Sequence, residues 1–183
     1  MPIYRPGGSR AIEFQKAMVF IDGTNLFHRL DALKLVPTTF WGLTKHVAGG
    51  RDIVRIYLYT SKPPYDKAVA KYGEGPFDKI RVILGDAVAT GDGNFKEKGV
   101  DALLVADLIY HAASKNCDFA ILVSVDQDFA QALKRVEDFG CRTAVVSIAA
   151  TTPDLLRQAS DEVHEIDETA LVKNNWARRR PSV

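Results

Sequence analysis

Apolar runs alternate with segments of helical periodicity along nearly the whole chain, and this alternation limits the fold more than any other feature. Residues 17–22, 52–59, 79–85, 118–124 and 142–147 read as strands, with a short sixth at 162–166. Residues 24–35, 40–48, 64–73, 99–115, 127–139 and 153–159 read as helices. Parallel strands covered on both faces read as continuous apolar runs, as 17–22 and 118–124 do. Strands alternating with helices predict a three-layer α/β/α sandwich with a central, mostly parallel sheet. In the common strand order 3-2-1-4-5, the first and fourth strands are neighbours where the order reverses.

The remaining segments set the expected boundaries. Residues 1–16 form an arm with Pro2, Pro6, Gly7 and Gly8, residues 17–170 the domain, and residues 171–183 a basic tail. Within that tail, Arg178-Arg179-Arg180-Pro181 reads as disordered, and residues 89–98 read as a Gly-, Asp- and Lys-rich loop.

A chain of 183 residues suits one domain with a real core. Its 24 basic and 23 acidic residues nearly cancel, so bulk charge gives no signal for nucleic acid or for a membrane surface. Any nucleic-acid binding then needs a local patch. Cys117 and Cys141 make neither a metal spacing nor a disulfide framework, which fits a reducing cytoplasm. The first fifteen residues lack an apolar signal region, and no apolar run approaches bilayer length. The expectation is a soluble, cytoplasmic protein without a membrane partner.

Two predicted strands end in aspartate. The first run closes as Phe20-Ile21-Asp22-Gly23-Thr24-Asn25, the fourth as Val123-Ser124-Val125-Asp126-Gln127-Asp128. Open α/β sheets bind ligands outside the carboxyl ends of their strands. Two carboxylates delivered there can share a hard cation such as Mg²⁺. The plainer alternative is local: Asp-Gly is a common turn pair, Thr24 or Asn25 can cap the next helix, and acids suit a helix first turn. Asp101 opens the apolar 99–115 helix and offers a third carboxylate, with Lys96 and Lys98 beside it as phosphate contacts; a solvated charged loop is the competing reading. Asp107 lies six residues further on, off that face, and reads as a polar group of the core. The four histidines show no ligand spacing, and the chain has neither a Gly-x-Ser-x-Gly elbow nor a Walker A loop. Gly91-Asp92-Gly93 does not directly join a strand to a helix as a dinucleotide fingerprint would.

Together these motifs resemble the NYN domain, in the LabA-like (DUF88) branch of the PIN-like nuclease superfamily. The matching pieces are Phe20-Ile21-Asp22-Gly23-Thr24-Asn25-Leu26, Lys98-Gly99-Val100-Asp101 and Leu122-Val123-Ser124-Val125-Asp126-Gln127-Asp128-Phe129. A weaker match, Leu156-Arg157-Gln158-Ala159-Ser160-Asp161-Glu162, extends the resemblance over residues 17–167. The resemblance implies metal-dependent endoribonuclease activity with Mg²⁺ or Mn²⁺ and RNA as partner. It implies Asp22, Asp101 and Asp126 as metal-binding acids and Asp128 as a fourth catalytic acid. Asn25 and Ser124 are implied as polar groups that orient water or phosphate.

Two departures stand out. Val125 occupies a position where the family usually has glycine, and a β-branched residue disfavours positive φ. The superfamily also often carries an acid on the helix after the second strand, where this chain offers Asp66 or Glu74. These departures motivate the alternative of a catalytically weak or inactive module that binds RNA or a partner protein. A haloacid-dehalogenase-like phosphatase fits less well, because residue 24 is Thr where a second Asp is wanted. Arg29 and Lys62 are further cations for a nucleic-acid backbone, and Tyr57, Tyr59 and Phe95 are candidate stacking surfaces. Near-neutral charge permits a homodimer that pools two basic patches.

Overall fold

The computed structural model describes residues 15–90 and 95–180. Nearly all of the expected N-terminal arm, Gly91-Asp92-Gly93 and Pro181 lie outside the described residues.

The chain enters through β1 (Lys16–Asp22), turns into α1 (Gly23–Ala32), and adds β2 (Leu35–Pro37) and α2 (Phe40–Val47). There follow β3 (Asp52–Ser61), α3 (Lys62–Tyr72), β4 (Arg81–Ala89), β5 (Phe95–Lys98) and α4 (Val100–Ala113). The last third runs through β6 (Phe119–Val123), α5 (Ala130–Asp138), β7 (Arg142–Ile148), α6 (Asp154–Gln158), β8 (Glu162–Ile166), α7 (Glu168–Lys173) and β9 (Ala177–Arg179). The main sheet has the order β5-β4-β3-β1-β6-β7-β8. Its pairs are parallel except β4–β5, which is antiparallel. The expected order is therefore present as β4-β3-β1-β6-β7, with β8 and β5 added at the edges.

Strand alternation builds the three layers. Ala17, Val19 and Ile21 of β1 point into one core with Leu26 and Leu30 of α1 and Phe40 and Leu43 of α2. Met18 and Phe20 point into the other, with Leu104 and Leu108 of α4 and Leu133 and Val136 of α5. Both faces of the sheet are thus covered, which is why its central strands are apolar throughout.

Three expectations need correction. Residues 95–98, read as loop, form β5: three charged residues follow Phe95, none is β-branched, and the segment pairs because β4 extends beside it. The helix expected to reach residue 35 stops at Ala32, and Leu35–Pro37 pairs antiparallel with β9 as a small second sheet. Arg178 and Arg179, read as disordered tail, are part of β9, and the Arg180 guanidinium donates to Asp31 Oδ1 at 2.6 Å.

Candidate active site

The local structure of β1's end explains the first aspartate. Asp22, not Thr24 or Asn25, is the N-cap of α1: its Oδ1 accepts the Asn25 backbone N–H at 3.1 Å. Gly23 allows α1 to start against β3. A Cβ there would lie 2.8 Å from the Tyr59 carbonyl oxygen and 2.8 Å from Leu58 Cδ2.

The second aspartate is built in the same way. Asp126 caps the single 3₁₀ turn Gln127–Phe129, accepting the Asp128 N–H on Oδ1 at 2.9 Å. The capping alternative is therefore correct for both residues, and it brings them together rather than excusing them. β1 and β6 are adjacent, with Ile21 opposite Val123, so their carboxyl ends meet. Ser124 joins the two: its hydroxyl donates to Asp22 Oδ2 at 2.8 Å and accepts the Asp126 N–H at 3.0 Å. Asp22 is 6% exposed and Ser124 2%, whereas Asp126 is half-buried and Asp128 faces water.

Asp101 in the first turn of α4 belongs electrostatically to the same rim. Burial pushes the Asp22 carboxyl above its ordinary range, hydrogen bonds from Asn25 and Ser124 oppose this, and the charges of Asp101 and Asp126 raise it further. Asp101, although exposed, is raised by partial burial and by Asp126, Glu97 and Asp128. Carboxylates that raise one another in this way favour a shared cation or a shared proton.

Glu97 is a carboxylate beside the rim that sequence reasoning did not single out. Its carboxylate accepts from the hydroxyls of Thr24 and, at 3.2 Å, Thr60, and from the Ser61 backbone N–H at 2.6 Å. It thereby ties the edge strand to the ends of β1 and β3. Asp66 of α3, one of the two acids considered for the helix after the second expected strand, pairs on the surface with Lys62 at 2.9 Å. The available signal was the alternation Phe95-Lys96-Glu97-Lys98, which only a strand assignment could have used. The same alternation puts Lys96 and Lys98 on the face opposite Glu97, both exposed and opposite Val88 and Asp86 of β4.

The other candidates sort by burial. Tyr57 and Tyr59 are core residues stacked near Phe20, and the Tyr59 hydroxyl donates to Asp107 Oδ2 at 2.9 Å, so neither is a stacking surface. Phe95 is 51% exposed. Val125 is absent from the positive-φ residues of the described chain, so its β-branch meets no left-handed backbone.

The rim's donor set suits Mg²⁺ or Mn²⁺, since it consists of carboxylate and hydroxyl oxygens. Among the described residues, no three carboxylate, imidazole or thiol groups already stand together as metal ligands. Asp22 and Asp126 are occupied as caps, and Glu97 is held by Thr24, Thr60 and Ser61.

The NYN domain model matches residues 16–167, most of the chain. The chain belongs to the NYN domain family. Its mostly parallel seven-stranded sheet flanked by helices is consistent with the PIN-like fold of that family. One relative of this NYN domain is the uncharacterized protein y4oD of Sinorhizobium fredii, 29% identical over 99 residues. That match covers 52% of this chain and 44% of y4oD, so the chain spans less than half of that relative. A solved structure of a protein of unknown function from Vibrio parahaemolyticus, VPA0982, superposes with a TM-score of 0.64 at 20% identity, covering 87% of this chain and 97% of that one. That likeness speaks for the fold alone. Among the described residues no helix is long and apolar enough to cross a membrane.

Proposed function

We propose that this NYN domain, of the LabA-like branch, is a metal-dependent endoribonuclease that hydrolyses RNA phosphodiester bonds at the acid rim. The observation that carries this reading is the Asp22–Ser124–Asp126 network, which links the carboxyl ends of two adjacent parallel strands and faces Asp101. A ligand site at such a switch point is what open α/β sheets build.

Asp22, Asp101 and Asp126 would hold Mg²⁺ or Mn²⁺, with Asp128 completing the set. The bound cation would supply Lewis acidity toward phosphate and water. The chain's own residues do the rest. Ser124 and the Asn25 N–H each hold one oxygen of the Asp22 carboxylate, so its orientation at the rim is fixed. Asn25 stands in the first turn of α1 with its backbone N–H taken by Asp22, and would offer its side-chain amide to a phosphate oxygen or a water. Lys96 and Lys98 add positive potential on the outer face of β5 and attract the RNA backbone from a distance. No serine or cysteine nucleophile is required.

The test is cleavage of a labelled single-stranded RNA with Mn²⁺. Asp22→Asn and Asp126→Asn keep the caps and should each lose activity by about 100-fold or more. Full activity in both variants removes the proposal.

The alternative of a binding module without cleavage draws on the capping bonds already made by Asp22 and Asp126, which give both carboxylates a structural role without any ion. Calorimetric titration separates the two: heat on adding Mn²⁺ favours the nuclease, and its absence the module.

A further inference from the structure

A second feature adjoins the rim without being part of it. α1 and α3 wall a groove of about 410 Å³, lined by the buried Phe27 and Ala68 and by Phe95 of β5. A pocket of this size is in the range that encloses small planar ligands. On α1 the line runs Thr24, His28, Asp31, residues four and three apart that share one helix face. Thr24 binds Glu97 at the rim, and Phe95 shares a strand face with Glu97 two residues away. The groove therefore starts where the acid cluster ends.

Its chemistry is uneven in a useful way. The Phe95 ring is exposed on an edge strand, and Pro63, Pro64 and Tyr72 add flat apolar surface. Asp31 is neutralised from two sides, by Lys71 at 2.5 Å and Arg180 at 2.6 Å, with the Tyr72 hydroxyl donating to it at 2.7 Å. Burial pushes the Asp31 carboxyl up, but these three hydrogen bonds outweigh it and hold it below its ordinary range. Lys67, one turn from Pro63 and Lys71 on α3, lines the groove and makes no ion pair among the described residues. Flat apolar surface beside unneutralised positive charge matches a nucleobase with its phosphate.

We propose that this groove binds one unpaired nucleotide of the RNA, its base stacked on Phe95 and its phosphate against Lys67 and His28, next to the phosphodiester at the acid rim. The proposal rests on the nuclease reading and adds to it a base-binding subsite between α1 and α3, which a paired base is not free to enter.

Anisotropy of a labelled RNA oligonucleotide tests this, with Ca²⁺ present, for the wild type, Phe95→Ala, Phe95→Trp and Lys67→Ala. The expected result is binding of the single strand in preference to its duplex, weakened about tenfold by Phe95→Ala and Lys67→Ala and retained by Phe95→Trp. Unchanged melting temperatures establish that these surface changes leave the fold intact. Equal binding by wild type, Phe95→Ala and Lys67→Ala, equal affinity for duplex, or no binding at all overturns the proposal. Mn²⁺-dependent cleavage is read in parallel and judges the nuclease reading separately. Cleavage with a KM indifferent to Phe95 and Lys67 defeats the groove alone. Groove-dependent binding without cleavage supports the groove and defeats the nuclease.

Discussion

The Ser124 hydroxyl donates a hydrogen bond to Asp22 Oδ2 at 2.8 Å, and the same oxygen accepts the backbone N–H of Asp126 at 3.0 Å. One buried side chain thereby couples two helix caps that belong to different strand–helix units. Caps alone would stabilise two helices; coupled at adjacent strand ends, they fix where two carboxylates stand.

Ser124→Ala breaks this coupling without touching either cap bond. The charge-assisted hydrogen bond lost is worth about 1.5–3 kcal/mol, and urea unfolding should show a loss of that size. Cleavage should fall about 10–100-fold, as for residues that orient ligating groups. Wild-type activity in this variant would mean that Asp22 needs no support from β6.

Stability without divalent cations should depend on pH through Asp22 and Asp101. Both carboxyls are raised in the folded protein, by burial first and by neighbouring acids. A raised carboxyl contributes stability that is complete below its ordinary value of 3.8 and is lost as pH rises through the higher folded value. In EDTA the wild type should therefore lose stability as pH climbs from the carboxylate range toward neutrality. Asp22→Asn, which keeps the cap acceptor, should flatten that slope and raise the melting temperature at pH 7. A steeper slope in Asp22→Asn would contradict the electrostatic reading.

Glu97→Ala should destabilise more than an exposed edge-strand substitution normally does. It strands the Ser61 backbone N–H, and the Ser61 hydroxyl already lacks a partner among the described residues. An unsatisfied buried donor costs about 1–3 kcal/mol, measurable by chemical denaturation. Glu97→Gln keeps an acceptor oxygen and should recover most of the stability, though not the negative charge facing Asp101.

Gly23→Ala should hurt both stability and activity. The added methyl meets the Tyr59 carbonyl at 2.8 Å, and backbone in a central strand cannot yield. The cost should be about 1–3 kcal/mol, with α1 displaced and Asn25 carried away from the rim. Retention of wild-type melting and cleavage would show that α1 tolerates a shift.

What could be read from sequence followed from how each part is held. Asp22 and Asp126 were legible because continuous apolar strands and a parallel order bring their ends together without any tertiary detail. Glu97 was not, because β5 is a short charged strand whose pairing comes from β4, so its side-chain direction had no local signal. Arg180 and the β2–β9 pair were hidden for a similar reason: three-residue strands 140 residues apart owe their existence to tertiary contact. Ser124 was legible as a polar neighbour, but not as the link between caps, which needs both strands in place.

The central claim is that the acids of this rim form one unit that takes up a divalent cation. Thermal unfolding at pH 7 with and without Mn²⁺ tests it most directly, using wild type beside the Asp22→Asn, Asp101→Asn double variant. A ligand bound only by the folded state at 100 times its Kd stabilises by about 2.7 kcal/mol. Wild type should therefore melt several degrees higher in Mn²⁺, and the double variant should not respond. A wild-type melting temperature indifferent to Mn²⁺, or an equal rise in the double variant, would contradict the account.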